Sequence, residues 1–98
     1  MMRVGEMKVL NLTLKKKWFD MIIAGEKEEE YRECKPYWNK RLNGTHTHIL
    51  FVNGYGENRP RILVELIEIK RGFGLLKWGA PIKKEVFILR FLTPSGKE

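Results

Sequence analysis

Eight consecutive residues, Gly25-Glu26-Lys27-Glu28-Glu29-Glu30-Tyr31-Arg32, hold two cations and four carboxylates. Along a strand, side chains alternate between faces. Glu28, Glu30 and Arg32 then share one face, and Lys27, Glu29 and Tyr31 the other. Glu30 and Arg32 can pair, which fixes a cationic fork suited to bidentate contacts with phosphate or a base edge. Lys27 sits at the corner entering the strand and can swing toward the same site. Two kinds of chemistry fit this set. As a binding site, Lys27 and Arg32 meet an anionic ligand while Glu30 orients the guanidinium. As a catalytic site, Glu30 acts as general base on water with Lys27 or Arg32 supporting an oxyanion. The plain alternative is a solvated edge strand whose salt bridges are worth little.

The elements around this stretch must position it. Leu14, Trp18, Met21 and Ile22 recur at the spacing of a buried helical stripe, which predicts a helix from about Leu14 to Ala24. Thr13 is the expected N-cap through its hydroxyl. Gly25, just past the stripe, is the expected C-cap, because glycine takes the left-handed conformation without strain. Lys15, Lys16 and Lys17 fall in the first turn. There they oppose the helix dipole unless an anion binds beside them.

A first strand is expected over Lys8 to Leu12 and a second over about Glu28 to Cys34. Pro36 forces a turn, followed by a short helical turn over Tyr37 to Leu42. Asn43-Gly44 is a turn signal. A third strand is expected over Thr47 to Val52 and a glycine-rich connection over Asn53 to Pro60. The longest strand runs from Arg61 to Lys70. Its two apolar faces, Leu63, Ile67 and Ile69 against Ile62, Val64 and Leu66, suggest a closed or covered sheet. After a loop carrying Trp78-Gly79-Ala80-Pro81, Glu85 to Leu92 is the last strand. Val86, Ile88 and Leu92 share one of its faces, and Phe87, Leu89 and Phe91 the other. Five short strands and one main helix near the N-terminus predict an α+β fold, a small mixed β-barrel.

Composition narrows the function classes. The 98 residues make one domain, with an ordered core over about 7–92 and a tail over 93–98. A net charge of +7 favours polyanionic partners. Lys15-Lys16-Lys17, Lys40-Arg41, Arg59-Arg61, Lys70-Arg71 and Lys83-Lys84 are interleaved with Trp18, Tyr37, Trp38, Tyr55 and Trp78. Cations for phosphates and rings for bases are the combination nucleic-acid binding uses. Ordinary core packing competes for each ring, and Trp18 is expected in the core.

No apolar run approaches the length of a membrane span, and the N-terminus carries no apolar leader segment. A cytoplasmic location and no membrane partner are the expectations. The one cysteine, Cys34, forms no internal disulfide and is a weak nucleophile candidate even beside Lys35. His46 and His48 lack the companions a metal site needs, so neither metal nor cofactor is expected. A monomer is the expected state.

One ordered set carries a resemblance. It comprises Leu12-Thr13-Leu14-Lys15-Lys16-Lys17-Trp18-Phe19, Ile22-Ile23-Ala24-Gly25-Glu26-Lys27 and Glu30-Tyr31-Arg32. Asn53-Gly54-Tyr55 and Trp78-Gly79-Ala80-Pro81 complete it. With its Gly-x-Lys-x-x-Glu-x-Arg core at Gly25, Lys27, Glu30 and Arg32, the chain resembles the ASCH domain family, relatives of the PUA RNA-binding domain. The resemblance covers nearly the whole chain. It implies a PUA-like barrel with the helix beside it and a cleft lined by Lys27, Glu30 and Arg32.

Members of that family are thought to bind RNA or nucleotides. Some bacterial members deacylate N4-acetylcytidine, and ribonuclease activity has been ascribed to others. The deacylating members carry threonine where this chain has Glu30, so Lys27 alone matches their chemistry; the role of their further glutamate is transferred to neither Glu65 nor Glu68. The leading expectation is therefore an RNA- or nucleotide-binding module. Its candidate contacts are Lys15, Lys16, Lys27, Glu30, Arg32, Trp38, Asn53, Tyr55, Arg59 and Trp78. A small hydrolase using Lys27 and Glu30 is the alternative, and a protein-interaction domain is a third.

Overall fold

Leucines at Leu10, Leu12 and Leu14 alternate with polar or exposed residues and point into one core, which defines strand β1 (Val9–Leu14). The computed structural model describes residues 6–56 and 58–94. After β1 come helix α1 (Lys16–Ile23), strand β2 (Glu29–Glu33), the short helix α2 (Pro36–Arg41) and strand β3 (His48–Asn53). Strand β4 (Arg61–Gly72), a 3-10 turn at Leu76–Trp78 and strand β5 (Val86–Phe91) complete the chain. The end of the expected tail, residues 95–98, lies outside the described residues.

The strands form one mixed sheet in the order β1-β3-β4-β5-β2. β1 pairs parallel with β3, from Val9 opposite His48 to Leu14 opposite Asn53. The other three ladders are antiparallel. The α+β class, the five strands and the N-terminal helix agree with the expectation. Closure into a barrel does not occur: β1 and β2 are the two edges, and no backbone ladder joins them. The sheet nevertheless curls. Phe51 of β3 and Phe91 of β5 meet edge to face across the intervening strand, with ring centroids 5.0 Å apart.

α1 and the inner face of the sheet share the core, which comprises Phe19, Ile22, Leu42, Ile49, Phe51, Val64, Leu89, Phe91 and the three β1 leucines. Two expectations about α1 are corrected. Thr13 does not cap the helix; it lies in β1 opposite Val52, because the ladder with β3 continues through Leu14. Lys15 takes the N-cap position, and no side chain caps the helix there. The buried pair on α1 is Phe19 and Ile22, with Trp18 and Met21 half-buried. Starting the helix at Lys16 leaves Leu14 in the core as a strand residue and brings Phe19 inward.

The helix ends as expected. Gly25 has φ +81, its N–H donates to Ile22 O, and Glu26 N–H donates to Met21 O. These two bonds are the Schellman pattern, and they turn the chain sharply into β2.

Trp18 joins α1 to the β4–β5 connection. A side chain on Gly79, which has φ +100, would stand 2.9 Å from the Trp18 ring. Trp18→Ala should therefore cost about 3 kcal/mol, the low end for a large aromatic because the ring is only half-buried. A melting temperature lowered by more than about 10 °C in calorimetry is the expected reading. An unchanged melting temperature would mean the ring contributes nothing to packing.

Candidate functional site

β2 presents its side chains as the alternation predicts. Glu30 and Arg32 share a face, and Glu30 Oε2 accepts from Arg32 Nη2 at 2.7 Å. Lys27 turns in at the corner beneath them, with Nζ 3.3 Å from Glu30 Oε1. One carboxylate thus holds a cation on each oxygen. Lys27 is 1 % exposed and Glu30 7 %. The ammonium also donates to Trp78 O at 2.6 Å, and lies 5.1 Å from the Trp18 ring centroid and 5.0 Å from that of Tyr31. Two rings, a carbonyl and a carboxylate therefore replace its hydration. Burial holds the Lys27 ammonium below its ordinary pKa, and the Glu30 charge offsets part of that shift.

Tyr31 faces the other way. Its hydroxyl donates to Glu29 Oε1 at 2.8 Å and accepts from Leu75 N–H at 3.0 Å. Burial pushes this hydroxyl above the usual tyrosine range. Tyr31 and Lys27 together anchor the β4–β5 connection over the start of β2.

Arg32 reaches across the open seam of the sheet, where its Nη2 donates to Thr13 O on β1 at 3.2 Å. Arg41 of α2 does the same one residue pair away, with Nη2 donating to Asn11 O at 2.8 Å. Two guanidiniums thus satisfy the β1 edge where a barrel would place a strand. Both lie over the Trp38 ring, Arg32 at 4.9 Å and Arg41 at 5.5 Å from its centroid. Arg32 Nε is buried and has no hydrogen-bond partner among the described residues.

The seam opens into a cleft of about 410 Å³ lined by Thr13, Leu14, Lys15, Trp18, Glu30, Tyr31, Arg32, Gly54 and Tyr55. A second cleft of about 260 Å³ adjoins it, lined by Asn11, Leu12, Thr13, Arg32, Tyr37, Trp38, Arg41 and Tyr55. Tyr55 is 80 % exposed. The loop bearing it is tied to the end of β1 by Gly54 N–H donating to Leu14 O at 3.0 Å. Arg59 Nε donates to Tyr55 O.

The structure thus gathers Lys15, Glu30, Arg32, Trp38 and Tyr55 at one seam, with Arg59 behind Tyr55. Lys27 lies underneath and lines neither cleft. Lys16 is exposed and pairs with Asp20 at 2.6 Å. Asn53 ends β3 opposite Leu14 and lines neither cleft. Trp78 offers its carbonyl to Lys27, and its ring lies under Lys77.

Sequence reasoning missed Thr13, Gly54, Tyr37 and Arg41 as lining residues. Tyr37 and Arg41 were legible together, since they stand four apart in the helical turn and therefore on one face. Among the described residues, no group of His, Cys, Asp and Glu could hold a metal ion. No helix among them is long and apolar enough to cross a membrane. In comparisons with known proteins, no family model, curated protein or solved structure matched the chain.

Proposed function

We propose that this chain is an RNA- or nucleotide-binding module of the ASCH type, related to PUA-like domains, with its ligand in the cleft at the β1–β2 seam. The observation that carries this reading is Arg32. Its guanidinium is fixed by Glu30 and Thr13 O, stacked on Trp38, and set at the junction of two clefts. A fork held this rigidly loses little entropy on meeting a phosphate or base edge. Lys15 adds charge at the rim, and the exposed Tyr55 adds a face for stacking. The net charge of +7 supports an anionic ligand. The proposed location is the cytoplasm and the proposed state a monomer.

The burial of Lys27 favours binding over hydrolysis. A lysine without access to the cleft serves to hold Glu30, and Glu30 has both oxygens engaged. The hydrolase reading keeps the 3.3 Å Lys27–Glu30 contact in its favour. Turnover of acylated nucleosides or RNA above that of a Lys27→Ala control would reinstate it.

Binding is tested by fluorescence anisotropy with a short labelled single-stranded RNA. With two or three phosphate contacts, affinity should fall about tenfold between 50 and 200 mM salt. Affinity that ignores salt, or no binding at low salt, would refute the reading.

A further inference from the structure

The two clefts at the seam adjoin, and their sizes and linings differ. They share Thr13, Arg32 and Tyr55. The first, at about 410 Å³, falls within the range of small-ligand sites; the second, at about 260 Å³, falls just below it. The second is an aromatic wall more than a pocket; Arg32 and Arg41 lie over Trp38, which leaves the exposed Tyr37 as its accessible ring. Tyr37 and Trp38 form its wall, ring centroids 4.9 Å apart and nearly perpendicular. Arg41 spans that wall, donating to the Tyr37 hydroxyl at 3.1 Å and to Asn11 O at 2.8 Å. Both of these acceptors are neutral, and among the described residues no carboxylate pairs with Arg41, whereas Arg32 shares Glu30 with Lys27.

We infer that the seam is a two-position track for single-stranded nucleic acid. One nucleotide occupies the larger cleft beside Glu30 and Arg32. The base of the next stacks on the exposed Tyr37 ring, and the phosphate joining them sits between Arg32 and Arg41. This rests on the nucleic-acid reading above and sharpens its ligand class to an oligonucleotide of two or more residues. Two unstacked bases are required, because a ring platform takes a base only by its face. A paired duplex therefore does not qualify.

The test is calorimetric titration of the whole chain with 5′-mononucleotides, 5′-phosphorylated dinucleotides and a short RNA duplex. The dinucleotide should bind at least tenfold more tightly than the mononucleotide, and the duplex more weakly than the dinucleotide. Tyr37→Ala should abolish the dinucleotide advantage. Tyr37 is 60 % exposed, so this variant should fold. Arg41→Lys, which keeps the charge but loses the fork, should reduce the advantage as well. Equal affinities for mono- and dinucleotide would overturn the track and leave a single-nucleotide cleft standing. An advantage that persists in both variants, or tighter binding of the duplex, would also overturn it. Binding of none of the ligands would remove the nucleic-acid reading itself.

Discussion

Glu30→Ala should destabilise the domain by about 3–5 kcal/mol, the effect of leaving a buried charge without its partner. The Lys27 ammonium would keep only Trp78 O and two ring faces, with the Arg32 charge nearby and uncompensated. A loss of that size is a large part of the stability of a small domain, so urea unfolding should shift to a much lower midpoint. The double change Lys27→Met with Glu30→Leu should be milder than Glu30→Ala, since it removes both buried charges. If the double change were the more damaging, the pair would contribute more as an ion pair than its desolvation costs.

The same pair gives the domain a pH signature. The folded pKa of Lys27 lies below the 10.5 of an ordinary lysine. Between those two values the unfolded chain binds a proton that the folded chain does not, so stability rises with pH there. The cost of burying the cation is thus in force below the folded pKa and is relieved as pH climbs through it. Tyr31 acts in the opposite sense above pH 10, where its raised pKa makes folding oppose ionisation. The advantage of the wild type over Lys27→Met, followed by urea unfolding from pH 7 to 10, should therefore grow with pH. A constant difference would mean that Lys27 titrates normally.

Arg32→Lys should lower affinity for single-stranded RNA by about 10- to 100-fold, the worth of one charge-assisted contact of about 1.5–3 kcal/mol. Lysine keeps the charge, and with it most of the attraction to Glu30. It lacks the planar guanidinium, which meets Glu30 and Thr13 O through Nη2, lies over Trp38 and keeps Nη1 for a ligand. The salt dependence of binding should change little, because the number of cations is unchanged. Wild-type affinity in this variant would show that the guanidinium plane is not what the ligand meets.

Much of the scaffold was legible in local sequence. The Gly25 cap, the face-sharing of Glu30 with Arg32, and the five strands all follow from signals within a few residues of one another. What was not legible depends on distant backbone. Arg32 and Arg41 find carbonyls of β1, and Lys27 finds the carbonyl of Trp78, 51 residues away. A carbonyl acceptor leaves no mark on residue type, so the open seam could not be told from a closed barrel.

β4 shows a second reason. A bulge between Leu66 and Glu68 resets the alternation, leaving Leu63 and Ile67 exposed while Ile69 packs against the core. The two apolar faces that suggested closure are partly the product of that extra residue. On α1, the ladder that carries β1 through Leu14 shifted the helix start and exchanged Phe19 for Leu14 on the buried face.

The most direct test of the seam as a nucleic-acid site is an NMR titration of labelled protein with a short single-stranded RNA at low and raised salt. Shifts confined to Lys15, Glu30, Arg32, Trp38, Tyr55 and their immediate neighbours, weakening as salt rises, are the predicted result. No shifts, or shifts spread over every lysine on the surface, would contradict it.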